Sequence, residues 1–330
     1  MTKLLTTARR GSARPFAGAL FAAALFAGGA AADPIAVSTL PPGAINHAQA
    51  QVIAKVIQDN SDLQTRVVSF NSPAAILGAV EAGQADMALS SSDESTVAFT
   101  GTEDYQGKAM KNLRVAFTIM PFAVGLIVKK DSPIKTVADL KGKRFGTGWQ
   151  GFKQGIPLAN AMLATAGLSL KDVEGVPVST LLRAADDFKA GKTDAFQFAV
   201  GGPKVAEIHA AIGGVRFLSF DHSPEATKRM QAVRKAYRPV LVNPLPHYAG
   251  VEQPIWLMGY HILILTSAKA KDEVVYKAVK ALHGKKAELV KGHPSFGAFT
   301  DAGMATQFDD LQYHPGAVKF FKEAGIWKRN

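Results

Sequence analysis

The spacing most suggestive of chemistry is Gly146-Thr147-Gly148-Trp149-Gln150-Gly151, a G-x-G-x-x-G run after an apolar stretch. A glycine-rich loop that opens a helix exposes backbone N–H groups and the positive end of the helix dipole, which suits a phosphate or a carboxylate. A dinucleotide would also need an acid about 20 residues on, at the end of the next strand. Asp172 has that spacing but precedes the strand expected at 175–178. The run is therefore read as a general anion cradle. Four similar junctions carry Thr39, Gly43, Asn46 and His47; Asn71 and Ser72; Ser90 and Ser91; and Gly201 and Gly202 before Pro203. Each alone is an ordinary helix cap. Five such junctions at strand ends describe one rim of hydroxyls, amides and N–H groups. These residues, with Gly148, Trp149 and Gln150, are the expected ligand contacts. His47 either meets ligand or caps. Trp149 and Phe152 either close over ligand or pack as core aromatics.

Enzymatic patterns are sparse. Ser132-Pro133-Ile134-Lys135 has S-x-x-K spacing, but no S-D-N or K-T-G accompanies it. Neither G-x-S-x-G nor H-E-x-x-H occurs, and the eight histidines are scattered. Cysteine is absent, which removes disulfides, thiolate zinc sites, iron–sulfur clusters and thiol nucleophiles. The expectation is a binding protein with neither cofactor nor metal. A periplasmic hydrolase built on Ser132 is the outlying alternative.

The elements that must position this rim are legible as alternation. Short apolar runs at 35–38, 65–69, 87–90, 113–119, 123–129, 144–146, 175–178, 195–198, 216–219 and 258–266 read as strands. Helical periodicity occupies 48–58, 73–82, 156–166, 180–190 and 203–211. That order predicts α/β layers with mostly parallel sheets. The segments 79–88 and 187–196 each run helix end, Gly, polar residues, Asp, strand, as equivalent turns of two similarly built lobes would. The runs at 123–129 and 258–266 are the expected crossovers. They leave 33–122 plus 259–330 as one discontinuous lobe and 123–258 as the other, a two-strand hinge with the rim loops facing across a cleft.

At roughly 100–200 residues per domain, 330 residues suit two folded units. Lys3, Arg9, Arg10 and Arg14 precede the apolar run 16–27 and the small residues Ala30-Ala31-Ala32. This is the pattern of a secretory signal peptide, 1–32, cleaved near Ala32. The apolar run is shorter than the roughly 18–20 residues that span a bilayer. Four of the 38 basic residues and none of the 27 acids lie in that leader, so 34 against 27 gives the mature chain +7. A soluble periplasmic protein that is not itself membrane-spanning is expected, its charge favouring anionic small molecules. No basic run with interleaved aromatics points to nucleic acid.

Val137-Ala138-Asp139-Leu140-Lys141-Gly142-Lys143-Arg144, the glycine-rich loop and Ala166-Gly167-Leu168 resemble a known family. So do Gly191-Lys192-Thr193-Asp194-Ala195-Phe196, Gly201-Gly202-Pro203 and 313–325, where Tyr313-His314-Pro315-Gly316 leads into a Phe-Phe helix. The chain resembles the TAXI-type solute-binding proteins of tripartite ATP-independent periplasmic (TRAP) transporters. The resemblance implies a two-lobed, type II periplasmic-binding-protein fold. It also implies a small organic anion, mostly carboxylates in that family, delivered to an ion-gradient-driven TRAP permease. The first loop departs from the family: Pro41-Pro42-Gly43-Ala44-Ile45-Asn46-His47 stands where a glycine-rich run followed by tyrosines is usual. Two alternatives share the fold: a binding protein for an ATP-driven importer of a sulfonate, amine or thiamine precursor, and a ligand-binding subunit for a sensor kinase.

Overall fold

Two long apolar strands organise the molecule. In the computed structural model, which describes residues 34–328, β4 spans Leu113–Lys129 and β10 spans Ile255–Ser267, paired antiparallel along most of their length. The expected leader, 1–32, lies outside the described residues. The runs 113–119 and 123–129 are one continuous strand. Pro121 does not break it, because that residue is exposed and stands opposite His261 beside a register shift at Ile262/Leu263. A proline is tolerated in a strand where no ladder donor is needed from it.

Ahead of β4 lie β1 (Ile35–Thr39), α1 (Ile45–Asp59), β2 (Thr65–Ser69), α2 (Pro73–Glu81), β3 (Met87–Ser91) and α3 (Ser92–Thr100). Between the long strands come β5 (Arg144–Gly148), α4 (Gly155–Ala164), β6 (Glu174–Val178), α5 (Leu181–Lys189), β7 (Phe196–Ala199), α6 (Pro203–Ala211), β8 (Val215–Phe217), α7 (Pro224–Val233) and β9 (Arg238–Val242). Helices α8 (Asp272–Leu282), α9 (Lys286–Gly292) and α10 (Pro315–Glu323) follow β10. Among the described residues no helix is long and apolar enough to cross a membrane.

The main sheet runs β2-β1-β3-β10-β4-β7, with β9 against β10 and β8 against β4. Pairs within strand–helix–strand units are parallel (β1–β2, β1–β3 and the separate β5–β6), whereas every ladder made by β4 or β10 is antiparallel. The antiparallel share is larger than simple alternation of elements predicts, because two crossover strands thread the sheet. Each changes partner midway: β10 pairs with β9 through Ile255–Gly259 and with β3 through Ile262–Thr266. The fold is a two-lobed α/β architecture of mixed sheets.

The two α-to-β turns are equivalent in detail. Gly83 and Gly191 take φ of 74° and 76°, the left-handed conformation that ends a helix at low cost only for glycine. Three residues on, Asp86 accepts from the Ala36 N–H at 2.8 Å, and Asp194 accepts from the Arg144 N–H at 2.9 Å. Each carboxylate thus pins the end of its turn to the first residues of a neighbouring strand, β1 or β5. Strand β9 escapes the periodicity reading because Pro239 and half-exposed positions disguise it. Helix α3, Ser-Asp-Glu-Ser-Thr at its start, has little apolar signature.

Candidate functional site

Where β3 and β7 end on either side of β10 and β4, there is a cavity of about 60 Å³. Its wall is apolar and aromatic: Phe122, Val124, Phe152, Leu158, Met162, Phe198, Tyr260 and Ile262 contribute. None of the residues lining it carries a formal charge. The starts of five helices reach it instead. Asn46 lies in the first turn of α1, Pro73 opens α2, Ser91 caps α3, Gln154 precedes α4 and Leu181 opens α5. Each brings the partial positive charge of its helix start toward one small space, although α4 already bonds its first N–H groups to the carbonyls of Phe152, Lys153 and Gln154.

Four side chains supply the polar detail. Gln154 Nε2 donates to Ser91 Oγ at 2.8 Å, linking α4 to α3 across the cavity. Gln197 Nε2 donates to the Gly155 carbonyl at 2.9 Å. The Ser90 hydroxyl and the Gln197 amide oxygen are buried without a protein partner. A buried polar atom left unpaired costs about 1–3 kcal/mol, so two of them on one cavity wall mark a place where a guest belongs.

Behind Gln154 lies a buried ionic cluster. Arg234 donates to Asp93 at 2.8 Å, to Glu94 at 3.0 Å and to Glu103 at 2.6 Å. Tyr237 donates to Asp93 and Tyr105 to Glu94. Burial pushes the Glu94 carboxyl above its ordinary range, and Asp93 adds to this against the pull of Arg234. Burial likewise raises the phenol of Tyr237. Glu103 reaches Arg234 from a backbone with φ of 51°, a left-handed conformation that only surrounding contacts sustain for a glutamate.

The expected site residues divide. Asn46, Ser90 and Ser91 line the cavity, as does Phe152. Ser72 and Gln150 sit at a neighbouring hollow of about 240 Å³ that shares Pro73 and Gln154 with it. There Ser72 accepts from the Ala75 N–H as the cap of α2. Asn71 stands at a smaller opening beside Leu40 and Leu181. The remaining positions do not reach the cavity. Thr39 is fully buried in β1. His47 meets the Leu40 carbonyl and Ser69, an internal bracing of the first loop. Gly43 accepts from the Lys204 N–H at 3.3 Å, a main-chain link from the first loop to α6. Gly148 ends β5 and Trp149 follows it; the indole is buried and donates to the Gly146 carbonyl, so it packs as core. Gly201 and Gly202 are hemmed by Tyr248 and Phe198. Lys135 donates to the Ser132 carbonyl rather than the hydroxyl, which instead accepts from the Ile134 N–H; the pair is a turn.

Gln154 and Gln197 were not expected. Gln197 carried a usable signal, a lone amide inside the otherwise apolar strand Phe-Gln-Phe-Ala, all of it buried. Gln154 lies just beyond the glycine-rich run and gave none.

A family model described as NMT1-like family matches residues 44–325. A protein of Haemophilus influenzae named for thiamine biosynthesis is 43% identical over 70 residues, 21% of each chain; the match spans about a fifth of that relative. A solved structure of a periplasmic transporter aligns with 88% of this chain and 92% of its own, at 14% identity and a TM-score of 0.53. The alkanesulfonate-binding protein of Xanthomonas axonopodis pv. citri aligns with 82% of this chain and 81% of its own, at 18% identity and a TM-score of 0.48.

Proposed function

The chain belongs to the NMT1-like family, and on that premise we propose that it is an exported solute-binding protein that closes on a small organic anion, a carboxylate, and hands it to a membrane permease. The observation that carries this reading is the convergence of five helix starts on one cavity that has two unpartnered polar atoms and no lining side chain with a formal charge. Dipole ends stabilise an anion by about 0.3–1 kcal/mol each, and more when partly buried. Micromolar capture needs about 8 kcal/mol, within reach of several such donors and an apolar wall. We read the lobes as 33–122 with 259–330 and as 123–258. Closure is then held by the links from Gln154 to Ser91, Lys204 to Gly43 and Arg234 to Asp93. Differential affinity for the closed state drives it. The wall hydroxyls have no histidine or lysine among the lining residues, which favours a carrier without turnover.

For the permease, the TAXI-like segments favour an ion-gradient-driven TRAP partner and a periplasmic location. A second reading, a thiamine-precursor binder of an ATP-driven importer, is favoured by the local identity to the Haemophilus relative and by the aromatic wall. Thermal-shift measurements against carboxylates, sulfonates, aminopyrimidines and cations test both. A ligand at 100 times its Kd adds about 2.7 kcal/mol of stability. Stabilisation by carboxylates supports the first reading, by aminopyrimidines alone the second, and by cations alone neither. A neighbouring gene for a many-helix fused permease or for an ATPase separates the two partners.

A further inference from the structure

Gln197 stands on the cavity wall with its orientation settled by the main chain. Its Nε2 donates to the carbonyl of Gly155 at 2.9 Å. Turning the amide over would set oxygen against oxygen, so the free atom is the Oε1, buried and without a partner. An amide oxygen accepts and never donates. A carboxylate arriving there brings only acceptors and leaves it unpaired. The Ser90 hydroxyl, the other unpartnered atom, both donates and accepts.

The two lie at opposite sides of the cavity floor. Ser90 is on β3 and Gln197 on β7, with β10 and β4 between them. Through the ladders Ser90 stands level with Thr118 of β4 and Gln197 with Leu126 further along that strand, so the two are offset along the strands as well as across them. The strip between is apolar, formed by Phe122 and Val124 of β4 and by Tyr260 and Ile262 of β10. Ser91 follows Ser90 in the chain, and Asn46, in the first turn of α1, also lines the cavity.

Resting on the solute-binding reading above, we infer that the guest is an elongated hydroxy acid: its carboxylate at Ser90, an apolar middle over Phe122 and Tyr260, and a terminal hydroxyl donating to Gln197 Oε1. The donor is neutral, because an ammonium would be desolvated on a wall with no carboxylate to meet it.

Isothermal titration with matched straight-chain acids of four to eight carbons tests this. The probes are ω-hydroxyalkanoates, the plain alkanoates, the α,ω-dicarboxylates and the ω-aminoalkanoates. At the best chain length the hydroxy acid should bind about 10- to 100-fold more tightly than the plain acid and the dicarboxylate. Gln197→Met, close in volume and without the acceptor, should bring that ratio to about two or less. Gln197→Glu should shift preference toward the ω-aminoalkanoate. Equal or tighter binding of the plain acid or dicarboxylate by the unaltered protein overturns the inference and leaves the carboxylate reading standing, whether or not the variants fold. An unchanged ratio in a folded Gln197→Met overturns it too. If no acid of the series binds while only compounds without a carboxylate do, the carboxylate reading falls and this inference with it; if carboxylates outside the series bind instead, this inference alone falls.

Discussion

The guanidinium of Arg234 lies 2.8 Å from the carboxylate of Asp93, joining the C-terminal end of α7 to the first turn of α3. Both side chains are almost wholly enclosed, and the same guanidinium serves Glu94 and Glu103. Three carboxyls share one cation, and burial, with Asp93 alongside, still raises the Glu94 carboxyl against the pull of Arg234. The cluster also bears on the cavity, since Gln154, which grips Ser91, leans on Asp93 at 3.3 Å.

Removing the cation should therefore be costly. Arg234→Met leaves buried acids facing one another, a loss of about 3–5 kcal/mol in urea-induced unfolding. Arg234→Lys keeps the charge but not the planar fork that reaches three partners, and it should recover only part of the loss. A loss below about 1 kcal/mol for the methionine variant would show that the acids find other partners or take up protons freely.

His261 sets a second, pH-dependent expectation. Burial, with the charge of Arg238 against the ring, pushes its imidazole down to about 4. The unfolded chain takes a proton near the ordinary histidine value of 6.5, whereas the folded chain refuses it until about 4. The unfolded state thus binds more protons across that window, and stability falls as pH drops through it. Above about 6.5 the group has no effect. The imidazole titration followed by NMR should have its midpoint near 4. The melting temperature of His261→Gln should fall less between pH 6.5 and 4 than that of the unaltered protein. A midpoint near 6.5 would mean that the ring is open to water.

These relationships divide by how they are written in the sequence. Ser90, Ser91 and Asn46 were legible because they sit where a strand gives way to a helix, and that junction has a local signature. So were Gly83 and Gly191, whose turns repeat the same residue order with the same aspartate anchor. Gln154, Gln197 and Arg234 owe their roles to partners 42 to 141 positions away, which no local pattern encodes. Trp149 is the instructive exception. A tryptophan in a glycine-rich loop reads equally as a lid or as core, and the choice is made by Gly155, six residues on.

Gly155 opens α4 with its carbonyl held by Gln197 and its missing side chain filled by the Trp149 ring. A Cβ there would sit 2.4 Å from Trp149 Cδ2 and 2.6 Å from Cε3. Trp149 already holds a φ of 46°, so its backbone has little freedom to yield. Gly155→Ala should expel the indole, cost about 1–3 kcal/mol as overpacking does, and red-shift the tryptophan emission. Ligand binding should weaken as well, because Gln154 and Gln197 both depend on the start of α4. Gly78→Ala in α2 is the control: its new Cβ meets nothing within 4 Å, and helix propensity should add about 0.5–1 kcal/mol without touching the emission. If both variants behaved like the control, the indole would be movable after all, and its reading as a lid over the cavity would return.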